Sequence, residues 1–369
     1  MSSRFQFALA SRDDDPQLRA RMAEDRMEGD IAISFRREPS YFAGCRVQGD
    51  VTEVVKCFDT ATGRIAGLGS RSTLNAYVDG YPERIGYLAD LRSAPEDRRG
   101  TLLARGYRFL RQLHEADPVA FYTTVIYEGN RPAFDNLLGA RAGLPTYRDF
   151  GRILTPAIHL DFPRRPIALP GVTIVRGDDA QLADIVAFLN TEQSRKQFAS
   201  VYRTADFSGG RFVGLRAQDF FLAIHGGRIV GTMAAWDQSA MRQTHVEQYS
   251  ASLSRLRPFY NLAARLSPLK PLPEIGSRIP YLYLACVATQ GNDVQLLHCL
   301  LRSVYNKLRR GAWHYAIAGL HETDPLAAVF NEYRNISAAG RLFVVHYGPA
   351  AERIAGLTAR VPAIDAGCL

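Results

Sequence analysis

Residues 85–138 constrain the fold more than any other stretch. In order, IGYLADL, SAPEDRRG, TLLARGYRFLRQLH, FYTTVIY and EGNRPAFDNLL read as a strand, an arginine-bearing turn, an amphipathic helix, a second strand and a second helix start. Leu102, Leu103, Gly106, Phe109, Leu110 and Leu113 fall on one stripe of a helix over 101–114. Asp117-Pro118 ends it, because a residue before proline avoids the helical region. The β-branched and aromatic run 121–127 is the second strand. Two strands joined by a helix are expected to be parallel, with a right-handed crossover. The helix N-terminus then opens beside the end of the first strand, a geometry suited to phosphate and pyrophosphate groups.

At 369 residues the chain exceeds one ordinary core, so two domains are expected. Its 47% hydrophobic and 22% charged residues are those of a globular protein. No run of 18 apolar residues predicts a membrane span, and the N-terminal residues MSSRFQFALASRDDD lack an apolar signal core. A cytoplasmic protein with no membrane partner is the expectation. Cys45, Cys57, Cys286, Cys299 and Cys368 are scattered, with no CxxC, which argues against a disulfide framework or a cysteine-rich zinc site. The net charge of +8 favours anionic ligands, but no long basic block or recognition motif points to specific nucleic-acid binding.

Around the central stretch, 5–10 reads as a strand, 16–28 as a charged helix, 45–58 and 64–68 as a hairpin about Asp59–Gly63, and 70–76 as another strand. Residues 146–151 and 153–160 read as a closing pair of strands. DFPRRPIALP at 161–170 is the best linker. Beyond it come a strand at 172–176, a helix at 181–189, a hairpin of 220–225 with 228–236, a strand at 279–287, a helix at 294–308, a strand at 314–320, a helix at 325–333 and a strand at 342–347. The halves match internally. GRIAG at 63–67 corresponds to GRIVG at 227–231, IGYLADL at 85 to IPYLYLA at 279, and FYTTVIYEGNRP to HYAIAGLHETDP. Three matches in one order indicate duplication of one fold, with about thirty extra residues inserted within 230–279 of the second copy.

This element order resembles the GCN5-related N-acetyltransferase (GNAT) family in tandem. LRSAPEDRRG is similar to the family's acyl-CoA motif, and YEGNRPAFDNLL to its next motif, in which an asparagine and an alanine three residues later open a helix beside the cofactor. The resemblance implies an α/β fold with a mixed sheet, built as two tandem GNAT-like acyltransferase domains: 1–160 with the acetyl-CoA site, a linker at 161–170, and 171–369. It implies acetyl-CoA as co-substrate, no metal, and cofactor contacts from Leu91, Arg92, Ser93, Arg98, Arg99, Gly100, Thr101, Asn130 and Ala133. Two features depart from the pattern. Thr101 and Leu103 stand where the family loop has small residues that let the pyrophosphate approach, and Leu137 stands where it often has a tyrosine acting as general acid. The second half has ATQGND in place of the arginine-bearing loop and Thr323 in place of the asparagine, so it reads as degenerate.

Acyl transfer to an amine needs a base, a donor for the tetrahedral oxyanion and a proton for the leaving thiolate. A strand splayed from its parallel neighbour frees backbone groups for the pantetheine arm, and Leu91, Arg92 and Ser93 are placed to do this. Asp90 and Glu128 are candidate bases and Tyr127 a candidate acid, with Tyr147 a weaker one. The plainer alternatives are a hairpin carboxylate at Asp90, a helix N-terminal acid at Glu128, a core tyrosine at Tyr127, solvated arginines at Arg98 and Arg99, and an N-cap at Asn130. His321 has no second histidine at metal-ligand spacing, and Asp324 caps the helix starting at Pro325. The expected function is an N-acetyltransferase with its active site in the first half, acting on a small-molecule or peptide amine. The alternative is a non-catalytic acyl-CoA or ligand-binding module, and a homo-oligomer stays open.

Overall fold

The protein is described by a computed structural model covering residues 4–97, 101–138 and 143–369. The chain begins with β1 (Phe5–Leu9), α1 (Asp15–Glu24), β2 (Arg26–Met27), β3 (Ile31–Arg36) and α2 (Tyr41–Cys45). An antiparallel meander of β4 (Val51–Asp59), β5 (Arg64–Val78) and β6 (Tyr81–Ser93) follows. Next come α3 (Leu102–Ala116), β7 (Tyr122–Tyr127), α4 (Arg131–Leu137) and β8 (Thr146–His159). The second half opens with β9 (Val172–Arg176), α5 (Leu182–Gln193), β10 (Phe220–His225), β11 (Arg228–Trp236), β12 (Gln243–Tyr249) and α6 (Ala251–Arg265). It ends with β13 (Tyr281–Thr289), α7 (Val294–Leu308), β14 (Tyr315–Ile317), β15 (Leu320–His321), β16 (Asn335–His346) and α8 (Ala351–Ala355).

One mixed 13-stranded sheet runs through both halves in the order β1-β4-β5-β6-β7-β16-β8-β14-β13-β11-β10-β9, with β15 beside β8. The expected parallel pairs are present, β6 with β7 and β13 with β14. The last strands of the two halves are exchanged. β16 lies between β7 and β8, and β8 pairs onward with β14. A second sheet, β12-β3-β2, joins the 230–279 insertion to the N-terminal segment.

Both faces of the large sheet are covered, which is why its central strands read as continuous apolar runs. Phe221 and Met233 point to α7, packing with Leu297, Leu300, Leu301 and Val304, while Phe220, Leu222 and Ala234 pack beneath Ile185 and Leu189 of α5. In the first half, Leu88 and Tyr122 pack with Leu103, Tyr107 and Leu110 of α3, whereas Ile85 and Tyr87 share the other face with Leu342 and Val344 and cluster with Phe198 and Ile354. At roughly 25 cal/mol per Å² of buried apolar surface, such two-sided burial is the main stabilising contribution.

The sequence reading needs several corrections: the helix read over 16–28 ends at Glu24 and β2 follows it, and the strand read over 314–320 is two short strands, β14 and β15. Residues 146–151 and 153–160 form one strand: Gly151 adopts φ +89° within β8 and the register shifts opposite Arg341 and Phe343, so the break is a bulge that glycine permits. Residues 64–76 are likewise continuous in β5, and 325–332 form a 3-10 helix instead of an α-helix. The 45–58 stretch begins as the end of α2 and a 3-10 turn before β4 starts at Val51.

Candidate functional site

β6 and β7 run as parallel neighbours only at Gly86–Tyr122 and Tyr87–Thr123. Beyond that the ladder stops, and Thr124 Oγ1 donates to the Leu88 carbonyl at 2.8 Å. β6 stays paired to β5 through Leu68–Arg92 and Gly67–Ser93, with a register shift at Asp90, whose φ is +56°. The bulge turns β6 away from β7, so the two strands diverge at their C-terminal ends. Leu91 is exposed there. The Arg92 side chain is committed elsewhere: its Nε lies 3.0 Å from Met22 Sδ, and its Nη1 reaches Asp25 at 3.3 Å. Only the backbone of Arg92 is therefore positioned for a ligand at this edge.

α3 starts at this divergence. Thr101 is its N-cap residue and makes no side-chain capping bond, and no acid stands in the first turn. Gly106 lets the helix press on β1, because a Cβ there would lie 3.1 Å from the Phe7 ring. The turn before the helix is held by Arg64 Nη2, 2.6 Å from buried Asp97. Arg98, Arg99 and Gly100 lie outside the described residues. Asn130 Oδ1 accepts from the Ala133 backbone at 3.3 Å, capping α4, and Ala133 packs against the cluster under α3.

The Asp90 side chain is 9% exposed at the bulge. Arg37 Nη2 donates to its carboxylate at 2.5 Å and the Tyr41 hydroxyl at 2.9 Å. Burial pushes this carboxyl up, but Arg37, Arg92 and Arg242 outweigh that and hold it below the usual carboxylate range. Burial also opposes the charge on Arg37, yet Asp90 keeps it protonated. The Tyr41 phenol is raised well above its ordinary value by burial and by Asp90. Asp90 is thus a fixed anion. Arg37 is itself anchored by the insertion: Gln243 bonds both backbone groups of Glu38, at 3.0 and 2.8 Å, and Arg36 pairs with Glu247 at 2.8 Å.

Glu128 accepts from Arg152 Nε and Nη2 at 2.7 and 2.8 Å, and that bonding lowers its pKa. Tyr127 is 40% exposed, so it is not the core tyrosine of the plainer alternative. Tyr147 is bonded to Tyr107 within the core, and burial raises its phenol well above its ordinary value. Leu137 packs in that same core. Sequence reasoning missed Arg37, Tyr41 and Arg242 as the surroundings of Asp90. They are remote in the chain, and no local pattern marks them.

The second half repeats the geometry but fills it. β13 and β14 pair at Tyr281–Tyr315 through Tyr283–Ile317 and then part, with a positive φ at Cys286. Asp365 accepts from the Cys286 N–H at 2.8 Å, and Gln193 Nε2 donates to the Val287 carbonyl at 3.3 Å. Glu192 accepts from the Gly291 N–H at 2.9 Å, and Asp293 caps α7 through Gln295 and Leu296. Lys196 closes the cleft on Asp324 at 2.7 Å. A cavity of about 40 Å³ remains. Both ring nitrogens of His321 are engaged, by Thr323 and the Phe150 carbonyl. Among the described residues no cluster of three or more His, Cys, Asp or Glu side chains could hold a metal, and no helix is long and apolar enough to cross a membrane.

The fold is that of the GCN5-related N-acetyltransferases. A GCN5-related glucosamine N-acetyltransferase region of a fungal multi-domain GH3 beta-N-acetylglucosaminidase superposes with a TM-score of 0.62 at 11% identity. That match covers 93% of this chain and 38% of the fungal protein. The Saccharomyces cerevisiae N-myristoyltransferase with bound myristoyl-CoA gives 0.60 at 10% identity over 94% of this chain and 84% of its own. A GCN5-related N-acetyltransferase from Sphaerobacter thermophilus gives 0.53 at 14% identity over 93% and 96%. No family model and no curated protein matches the sequence.

Proposed function

We propose that this chain is an N-acetyltransferase that moves an acetyl group from acetyl-CoA to an amine, with its active centre in residues 1–160. The observation that carries the reading is the contrast between the two strand divergences. In the first half, among the described residues, the β6–β7 ladder ends at Tyr87–Thr123, and α3 begins without a capping side chain. In the second half the equivalent groups are bonded by Asp365, Gln193, Glu192 and Asp293. The backbone of Leu91, Arg92 and Ser93 would take the pantetheine arm. Arg98, Arg99, Gly100 and Thr101 would take the pyrophosphate, with Asn130 and Ala133 beside it. The amine nitrogen attacks the thioester carbon, the C–N bond forms, and the C–S bond breaks. The amine proton leaves to a base and the thiolate gains one.

Glu128 and Asp90 remain the proposed proton acceptors and Tyr127 the donor. A second reading, a binding module without turnover, is favoured by one observation: both carboxylates are engaged, Asp90 by Arg37 and Tyr41 and Glu128 by Arg152. The acceptor is proposed to be a small-molecule or peptide amine, and the site of action the cytoplasm.

Calorimetric titration with acetyl-CoA, followed by thiol release with an amine panel, separates these readings. Binding with CoA release supports the enzyme, and binding without release supports the module. No binding at millimolar cofactor sinks both. The double variant Arg98→Ala/Arg99→Ala is expected to bind about tenfold or more weakly, since each lost charge-assisted phosphate contact is worth about 1.5–3 kcal/mol.

A further inference from the structure

The segment after β8, expected as a linker, is fastened to α7. Asn306 accepts from the Arg164 N–H at 3.1 Å and donates to the Arg164 carbonyl at 2.8 Å. Arg302 Nη1 donates to the Arg165 carbonyl at 2.7 Å, and the Tyr305 hydroxyl donates to the Phe162 carbonyl at 2.9 Å. These bonds fix the backbone of 162–165 along the wall of an open cavity of about 350 Å³. Four arginines line it, Arg164, Arg165, Arg302 and Arg334, together with Asp161.

Two of the four are neutralised. Arg302, nine-tenths buried, pairs with Glu332 at 3.0 Å and donates to the Tyr333 hydroxyl. Arg334 pairs with Asp161 at 2.8 Å and contacts His159 Nδ1. Burial, then Arg334, lowers the His159 pKa to about 4, so the ring adds no charge at neutral pH. Arg164 sits over the Tyr333 ring at 4.9 Å, and neither Arg164 nor Arg165 has an acidic partner among the described residues. Two positive charges are therefore held uncompensated on a fixed backbone. Phe162, 49% exposed, stands at the rim.

A phosphomonoester carries about −1.5 to −2 charges near neutral pH and three acceptor oxygens. Guanidinium groups match such acceptors in pairs. Fixing the backbone beforehand removes part of the ordering cost of binding. We propose that this cavity binds a small phosphomonoester, with Arg164 and Arg165 on the phosphate and Phe162 against an aromatic or apolar part of the ligand. The site is separate from the β6–β7 divergence and does not rest on the acetyltransferase reading.

The test is calorimetric titration with inorganic phosphate, AMP and adenosine at fixed ionic strength. Wild type is expected to bind AMP and phosphate but not adenosine. Arg164→Ala/Arg165→Ala is expected to bind both about tenfold or more weakly, a loss of about 1.4 kcal/mol or more. The exposed control Arg228→Ala is expected to bind as wild type, and Phe162→Ala to weaken AMP while leaving phosphate unchanged. An unchanged melting temperature in phosphate-free buffer confirms that the double variant is folded, and Arg165→Ala alone replaces it otherwise. The proposal falls if neither phosphate nor AMP binds at millimolar concentration, or if the linker variants bind like wild type. It falls equally if Arg228→Ala loses as much affinity, which would mark diffuse attraction to surface charge. Unchanged AMP affinity in Phe162→Ala overturns the aromatic contact.

Discussion

Asp90 shows how one residue's chemistry is set by its partners. A carboxylate on an exposed hairpin would titrate normally, but this one is enclosed with Arg37 and Tyr41. Breaking such a buried pair leaves an uncompensated charge, so Asp90→Asn is expected to cost about 3–5 kcal/mol in urea unfolding at neutral pH. Tyr41→Phe removes one bond to the anion and is expected to cost about 1.5–3 kcal/mol. The folded pKa of Asp90 is lowered, so its stabilisation is fully present above the unfolded value, about 4. It is lost as pH falls through the folded value. The gap in stability between wild type and Asp90→Asn should shrink in acid. A gap of constant size from pH 7 to pH 2 would contradict an ionised Asp90.

Among the elements, the divergence of β6 from β7 decides where a ligand has room. The pair is closest at Gly86, where a Cβ would lie 2.0 Å from Tyr122 Cδ1. Gly86→Ala is therefore expected to push the strands apart and destabilise by about 1–3 kcal/mol, the range for overpacking, read as a lower urea midpoint. Full stability in that variant would mean that Tyr122 can move aside. The filled divergence of the second half leads to another expectation, that acetyl-CoA titrates to one site per chain. A stoichiometry of two would require Glu192 and Asp365 to vacate the Gly291 and Cys286 N–H groups.

At the scale of the molecule, the exchanged strands tie the halves together. A fragment of residues 1–160 would lack β16 and leave the facing edges of β7 and β8 unpaired. It is expected to show no cooperative melting by itself and to recover one when produced together with 161–369. The intact chain is expected to melt in one transition. An isolated 1–160 that melts cooperatively would instead favour two separable domains, the division proposed from the internal matches.

Much of this was legible locally. Alternation, helical stripes and turn residues located β1, β7, α3, α7 and the 220–236 hairpin, because those signals lie within a few residues of one another. The paired strand–helix–strand units and the resemblance to acetyltransferases followed from their order. The break at Gly151 misled, since glycine marks a bulge as readily as a turn. The sequence by itself determined the strongly periodic segments, α3 and α7 among the helices, and the two strand–helix–strand units whose strands pair in parallel. Tertiary structure alone decided that β16 crosses to β7, that Arg37 and Tyr41 enclose Asp90, that the second cleft is filled from within, and that 162–165 is pinned to α7. Strand partners and buried charge partners are chosen by packing across the whole chain, and no window of neighbouring residues contains that information.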